Sequence, residues 1–190
     1  MVSTKYNKYY RTTAEQDKNG KMKTVVVYTG PYYIYDIPKA KAKKLLILLS
    51  ALGVIGTGIF VGSLLFYSEI TRIFYVSVPY ACNFLSLAMI LMGILNLWNG
   101  KEKLTIEQYD KSIPRIRGFS IGGMIFIIAS LIGSTVAFLI SEDVHFAGTN
   151  IIFLVCEVLL FINMLCMLKV CFLFCTKEEA NPIAKEWEKH

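Results

Sequence analysis

Four long apolar runs, Leu45–Tyr67, Ile73–Trp98, Phe119–Ile140 and Ile151–Cys175, limit what this chain can become more than any other feature. Each exceeds the roughly 20 apolar residues that carry an α-helix across a hydrocarbon layer about 30 Å thick. The first three contain no Asp, Glu, Lys or Arg, and none alternates with the period of two that a barrel strand requires. A backbone in hydrocarbon must satisfy its own hydrogen bonds, so such runs are expected to be spanning helices. The predicted fold class is an all-α membrane protein, a four-transmembrane-helix bundle of two helical hairpins with a small N-terminal cytoplasmic β-hairpin. Residues 45–175 form the transmembrane domain (45–67, 73–98, 119–140, 151–175), between a basic Tyr-rich segment, 1–44, and a tail, 176–190.

Charge predicts the orientation. Residues 1–44 hold ten Lys and Arg against three acids, and 99–117 hold five against three. The connector 141–150 has only Glu142 and Asp143, and 68–72 has one charge of each sign. Positive residues stay inside, so both termini and the middle connector are expected to be cytoplasmic. The net charge of +6 then reports this rule together with anionic headgroups, which Lys39, Lys41, Lys43 and Lys44 are placed to meet. The expected partners are the lipid bilayer and a protein partner or second copy; nothing points to nucleic acid. No leader peptide is expected, because a charged segment of 44 residues precedes the first run, and no lipidation pattern is read at either end.

The five cysteines, Cys82, Cys156, Cys166, Cys171 and Cys175, all fall inside the apolar runs. An exoplasmic disulfide framework is therefore not expected, which argues against tetraspanin-like and connexin-like arrangements. The missing Cys-x-x-Cys argues against reductases of the vitamin K epoxide type. Cys171 and Cys175 share a helix face, but a metal there would need further ligands from His190 or the amino-terminal segment. Buried thiols are expected to be inert, with acylation of Cys175 the more plausible use. No nucleophile elbow, P-loop, dinucleotide fingerprint or HExxH is present, and His145 beside Glu142 and Asp143 reads as a solvated loop residue. The expectation is a protein that is not an enzyme and uses no cofactor or metal.

Outside the runs, the amino-terminal region holds seven of the eleven tyrosines. Tyr9–Glu15 and Met22–Tyr28 are predicted to pair as a hairpin turned at Asn19-Gly20. An isolated two-stranded hairpin is marginal in water, so it should lie on headgroups or on the 99–117 connector, or else dock another protein. Within that connector, Thr105 and Gln108 have capping-box spacing, predicting a short helix stopped by Pro114 with Ile106 and Tyr109 on one side. Asn181-Pro182 is expected to start a tail helix over Ile183–Glu188, with Trp187 at the interface.

Two features bear on function. Gly58 and Gly62 in the first run, and Gly118, Gly122, Ser130 and Ser134 at or in the third, are spaced as packing faces, within the chain or between chains. The fourth run retains Glu157 and Lys169, and intramembrane ionisable groups are costly enough to be functional candidates. Asn150 shares the Glu157 face of the helical wheel, together with Leu154, Phe161 and Met164. Depth along the helices suggests two polar levels between the second and fourth runs, Asn83 by Glu157 and Asn96 by Lys169. The leading expectation is a non-enzymatic accessory, assembly or interaction subunit of a larger membrane complex. The alternative is a small transporter or channel subunit, with Glu157 and Asn83 as a proton- or cation-binding site. The endings Leu64–Glu69 and Val136–Glu142, and the pairs Cys82-Asn83 and Cys156-Glu157, also suggest a weak parallel repeat, weighed equally against convergence of two hairpins.

Overall fold

The structure is a computed structural model that describes residues 4–16, 21–66, 68–100, 103–140 and 148–181. After a 3₁₀ turn over Thr4–Tyr9 come strands β1 (Tyr10–Gln16), β2 (Met22–Tyr28) and β3 (Tyr32–Tyr35), then helix α1 (Lys39–Leu65). A second 3₁₀ turn over Glu69–Arg72 leads into α2 (Phe74–Asn99), followed by β4 (Lys103–Thr105) and the short α3 (Ile106–Asp110). Helices α4 (Ile113–Ile140) and α5 (Gly148–Leu173) and strand β5 (Thr176–Glu179) complete the described chain. Four helices, α1, α2, α4 and α5, are long and apolar enough to cross a membrane.

The four pack in the cyclic order α1, α2, α4, α5, so α2 and α5 lie diagonally across the bundle. The fully buried positions on α5 are Asn150, Phe153, Glu157, Leu160, Met164, Met167 and Cys171, alternating steps of three and four residues. The same rhythm runs along α4 from Ile113 through Ser120, Gly123, Ile127 and Ser130. An average step of 3.5 is the signature of a left-handed helical seam. What fills the seam is unusual for a bundle in water: fully buried Ser63, Asn83, Ser120, Ser130, Ser134, Asn150 and Glu157 stand among the apolar side chains. The outward faces carry the large hydrophobics instead, including Val54, Phe84, Ile125, Ile132 and Leu139. An apolar exterior of this extent needs a covering, and small residues inside let the backbones approach.

One end of the bundle is tied by a three-stranded antiparallel sheet in the order β4-β3-β5. β3 pairs Tyr33 with Leu104 of the middle connector and Ile34 with Lys177 of the tail. This sheet was not expected; a strand of three residues leaves no period in the sequence. The predicted hairpin is present as β1 and β2, with Tyr10 opposite Tyr28; its turn at Asn19-Gly20 lies outside the described residues. The third long apolar helix begins at Ile113, ahead of the apolar run that opens at Phe119, and Pro114 does not stop the connector helix. Pro114 instead occupies the first turn of α4, where its missing N–H breaks no intrahelical bond. The capping box does form: Thr105 Oγ1 accepts from Gln108 N, and Gln108 Oε1 from Thr105 N.

Candidate functional site

Glu157 faces the seam between α5 and α4, fully buried. Ser134 Oγ donates to its Oε2 at 3.1 Å, and Ser130 Oγ is bonded to its Oε1. Ser130 Oγ also stands 3.2 Å from the Val76 carbonyl of α2. A hydroxyl carries one proton, so the proton count separates two arrangements. With a neutral acid, Glu157 donates to Ser130, Ser130 to Val76 O, and Ser134 to Glu157, so every group is used. With a carboxylate, the Ser130 proton turns to Glu157 and the link to α2 is lost, while a buried charge has two hydroxyl donors as its only bonds among the described residues. The neutral form costs far less in an apolar bundle. Glu157 is thus part of a relay spanning α5, α4 and α2.

The two expected polar levels between the second and fourth spanning helices are corrected by this packing. Asn83 is fully buried but donates to Pro79 O of its own helix at 3.3 Å, and its Oδ1 has no hydrogen-bond partner among the described residues. It does not bond Glu157, because α2 and α5 are diagonal and the acid turns toward α4. Asn96 donates to Lys111 O at 3.1 Å, tying α2 to the connector, while Lys169 is exposed. On α5 the buried face runs through Phe153 and Leu160, leaving the expected Leu154 and Phe161 half-buried.

Asn150 shares the buried face with Glu157 and clamps the far end of the bundle. Its Oδ1 accepts from Ser68 Oγ at 2.7 Å and from Glu69 N at 3.1 Å, and its Nδ2 donates to Glu69 Oε2 at 3.4 Å. Sequence reasoning passed over Asn163, whose Nδ2 donates to Leu52 O of α1 at 3.2 Å. A methyl group at Gly56 would lie 2.6 Å from Asn163 Oδ1, so this glycine makes the room. Tyr80 bonds Ser63 of α1 and stacks on Phe60 with ring centroids 5.1 Å apart. Asn163 stood in the sequence as one more uncharged polar group of the fourth run, beside Glu157 and Lys169.

The glycines divide into two sets. Gly53, Gly56, Gly93, Gly123 and Gly133 meet neighbouring helices closely, whereas a methyl group at Gly58, Gly62, Gly118 or Gly122 would meet nothing within 4 Å among the described residues. Ser130 and Ser134 belong to the seam. The glycine spacing motifs therefore point outward, and the serine pair inward. Beside one of them a groove of about 280 Å³ runs between α2 and α4, over Gly118 and Gly122 and between Leu85, Phe119 and Phe126.

At the sheet end, the amino-terminal segment lies on the middle connector. Tyr28 Oη donates to Pro31 O at 2.6 Å and accepts from Ile106 N at 3.0 Å, while Tyr28 O accepts from Asn181 Nδ2 at 2.9 Å. Tyr33 stacks on Tyr109 at 4.2 Å, and Tyr6 and Lys5 both reach Asp110 Oδ2 at 3.0 Å. Cys171 is buried and Cys175 exposed. His145, Ile183–Glu188, Trp187 and His190 lie outside the described residues. No protein-family model, curated protein or solved structure matches the chain.

Proposed function

We propose that this is a multi-pass integral membrane protein with both termini and the middle connector cytoplasmic. We propose further that it works as a non-enzymatic accessory, assembly or interaction subunit of a larger membrane complex. The observation that carries the reading is the outward pair of glycine faces, Gly58/Gly62 on α1 and Gly118/Gly122 on α4, which no neighbour in the bundle uses. Glycine inside a helix costs about 1 kcal/mol relative to alanine. Four glycines without a packing role in their own bundle are accounted for by a helix outside it, from a partner or a second copy. Small-xxx-small faces are the usual means of close helix approach in lipid.

The alternative, a transporter or channel subunit using Glu157 with Asn83, draws its support from the burial of an acid in the seam. The bonds of Glu157 to Ser130 and Ser134 favour a cross-helix tie over an open binding site. Co-purification in mild detergent followed by mass spectrometry tests the choice. A stoichiometric partner or self-association should be retained by the native chain and lost from G58L/G62L or G118L/G122L, with the melting temperature unchanged. A native chain that runs as a lone monomer, together with proton flux in liposomes that E157Q abolishes, would reverse it.

A further inference from the structure

A cavity of about 460 Å³ opens where the sheet meets the bundle, between α1, α2 and β3. Its walls are apolar, from Ile34, Leu46, Leu97 and Phe174, and Trp98 stands beside them with Nε1 donating to Ser50 Oγ at 2.8 Å. Three exposed lysines also line it: Lys39 and Lys43, one turn apart on α1, and Lys103 from β4. No acidic side chain is among its described lining residues. Lys103 bonds Glu179 Oε2 at 2.7 Å and remains half exposed, with further ammonium protons to donate. Lys41 and Lys44, equally close in sequence, do not line the cavity.

We propose that this cavity binds one anionic phospholipid of the cytoplasmic leaflet. Lys39, Lys43 and Lys103 hold the phosphate, and an acyl chain lies along Leu46, Leu97 and Phe174. The volume is in the range of small-molecule sites, and the combination of apolar wall and cationic edge matches an amphiphile. A free phosphate would leave the wall unused. Trp98 is suited to the depth at which a headgroup meets its chains. The inference rests on the membrane reading above, but it differs from general attraction of a basic segment to an anionic surface. General attraction treats every nearby lysine alike; a site distinguishes those that line it.

Native mass spectrometry of the full chain released from detergent, with phosphatidylglycerol or phosphatidylcholine added, tests the proposal. Phosphatidylglycerol should be retained preferentially, and K39Q/K43Q/K103Q should weaken retention about fivefold per lysine, or about a hundredfold in all. K41Q/K44Q should change it by less than about twofold, and Ala42→Trp, which fills the cavity, should abolish it. Equal retention of the two lipids, or an equal loss in K41Q/K44Q, overturns the site. Displacement by inorganic phosphate alone overturns the lipid assignment. A chain that stays monodisperse without detergent would instead defeat the membrane reading itself.

Discussion

At Glu157, two substitutions of similar size separate a hydrogen-bonded tie from a required charge. Glu157→Gln keeps an oxygen to accept from Ser134 and supplies an N–H for Ser130, so its melting temperature in detergent should stay within a few degrees of the native value. Glu157→Leu removes both bonds, and the two serines fall back on carbonyls of their own helix. At about 0.6 to 1.7 kcal/mol for each interhelical bond, the leucine variant should lose about 1 to 3 kcal/mol. Equal destabilisation by both would mean that the relay needs the acid itself. The charge made Glu157 legible in the sequence, because an apolar run advertises any exception to itself. Its partners were legible only as small residues, since a helical wheel gives the face of a side chain and not the helix that it meets. Assigning Asn83 as the partner assumed that the second and fourth spanning helices were neighbours, and the bundle closes the other way.

Among elements, the two classes of glycine make opposite predictions. Gly56→Ala drives a methyl group against Asn163 Oδ1 and disturbs the bond to Leu52 O, so it should cost about 1 to 3 kcal/mol. Gly58→Ala has open space around it and should be neutral, or stabilising by up to about 1 kcal/mol, in the same thermal melts. The sheet end of the molecule offers a pH test through Tyr28, whose phenol burial pushes up to about 12. Because the folded value lies above the ordinary 10, the stabilisation is intact below about pH 10 and fades as pH rises to about 12. Circular dichroism melts over that range should show the loss, and Tyr28→Phe should reduce the step, leaving the share of the other buried tyrosines, while costing about 1 kcal/mol throughout. The hairpin and the capping box were readable because each is written in adjacent residues. The sheet β4-β3-β5 was not, because its three strands are short and its pairing joins segments some 70 residues apart or more.

For the whole molecule, that sheet converts separate charge statistics into one linked property. β3 cannot pair with both β4 and β5 unless the amino-terminal segment, the middle connector and the tail emerge from the same end of the bundle. In the proposed membrane reading an even number of spanning helices permits this, and the lysines bias which side is chosen. Sidedness should therefore behave as a unit. With native cysteines replaced, single cysteines placed at Lys103, Lys177 and Lys23 should all resist a membrane-impermeant maleimide in intact cells and react once the cells are opened. A cysteine at Thr71, in the connector between α1 and α2 at the opposite end, should react without opening. Replacing Lys39, Lys41, Lys43 and Lys44 with glutamine weakens the bias without breaking the sheet, so any inverted molecules should expose positions 23, 103 and 177 together. A population in which one of the three is outside while the others are inside would show that the strands do not pair in the membrane-inserted protein.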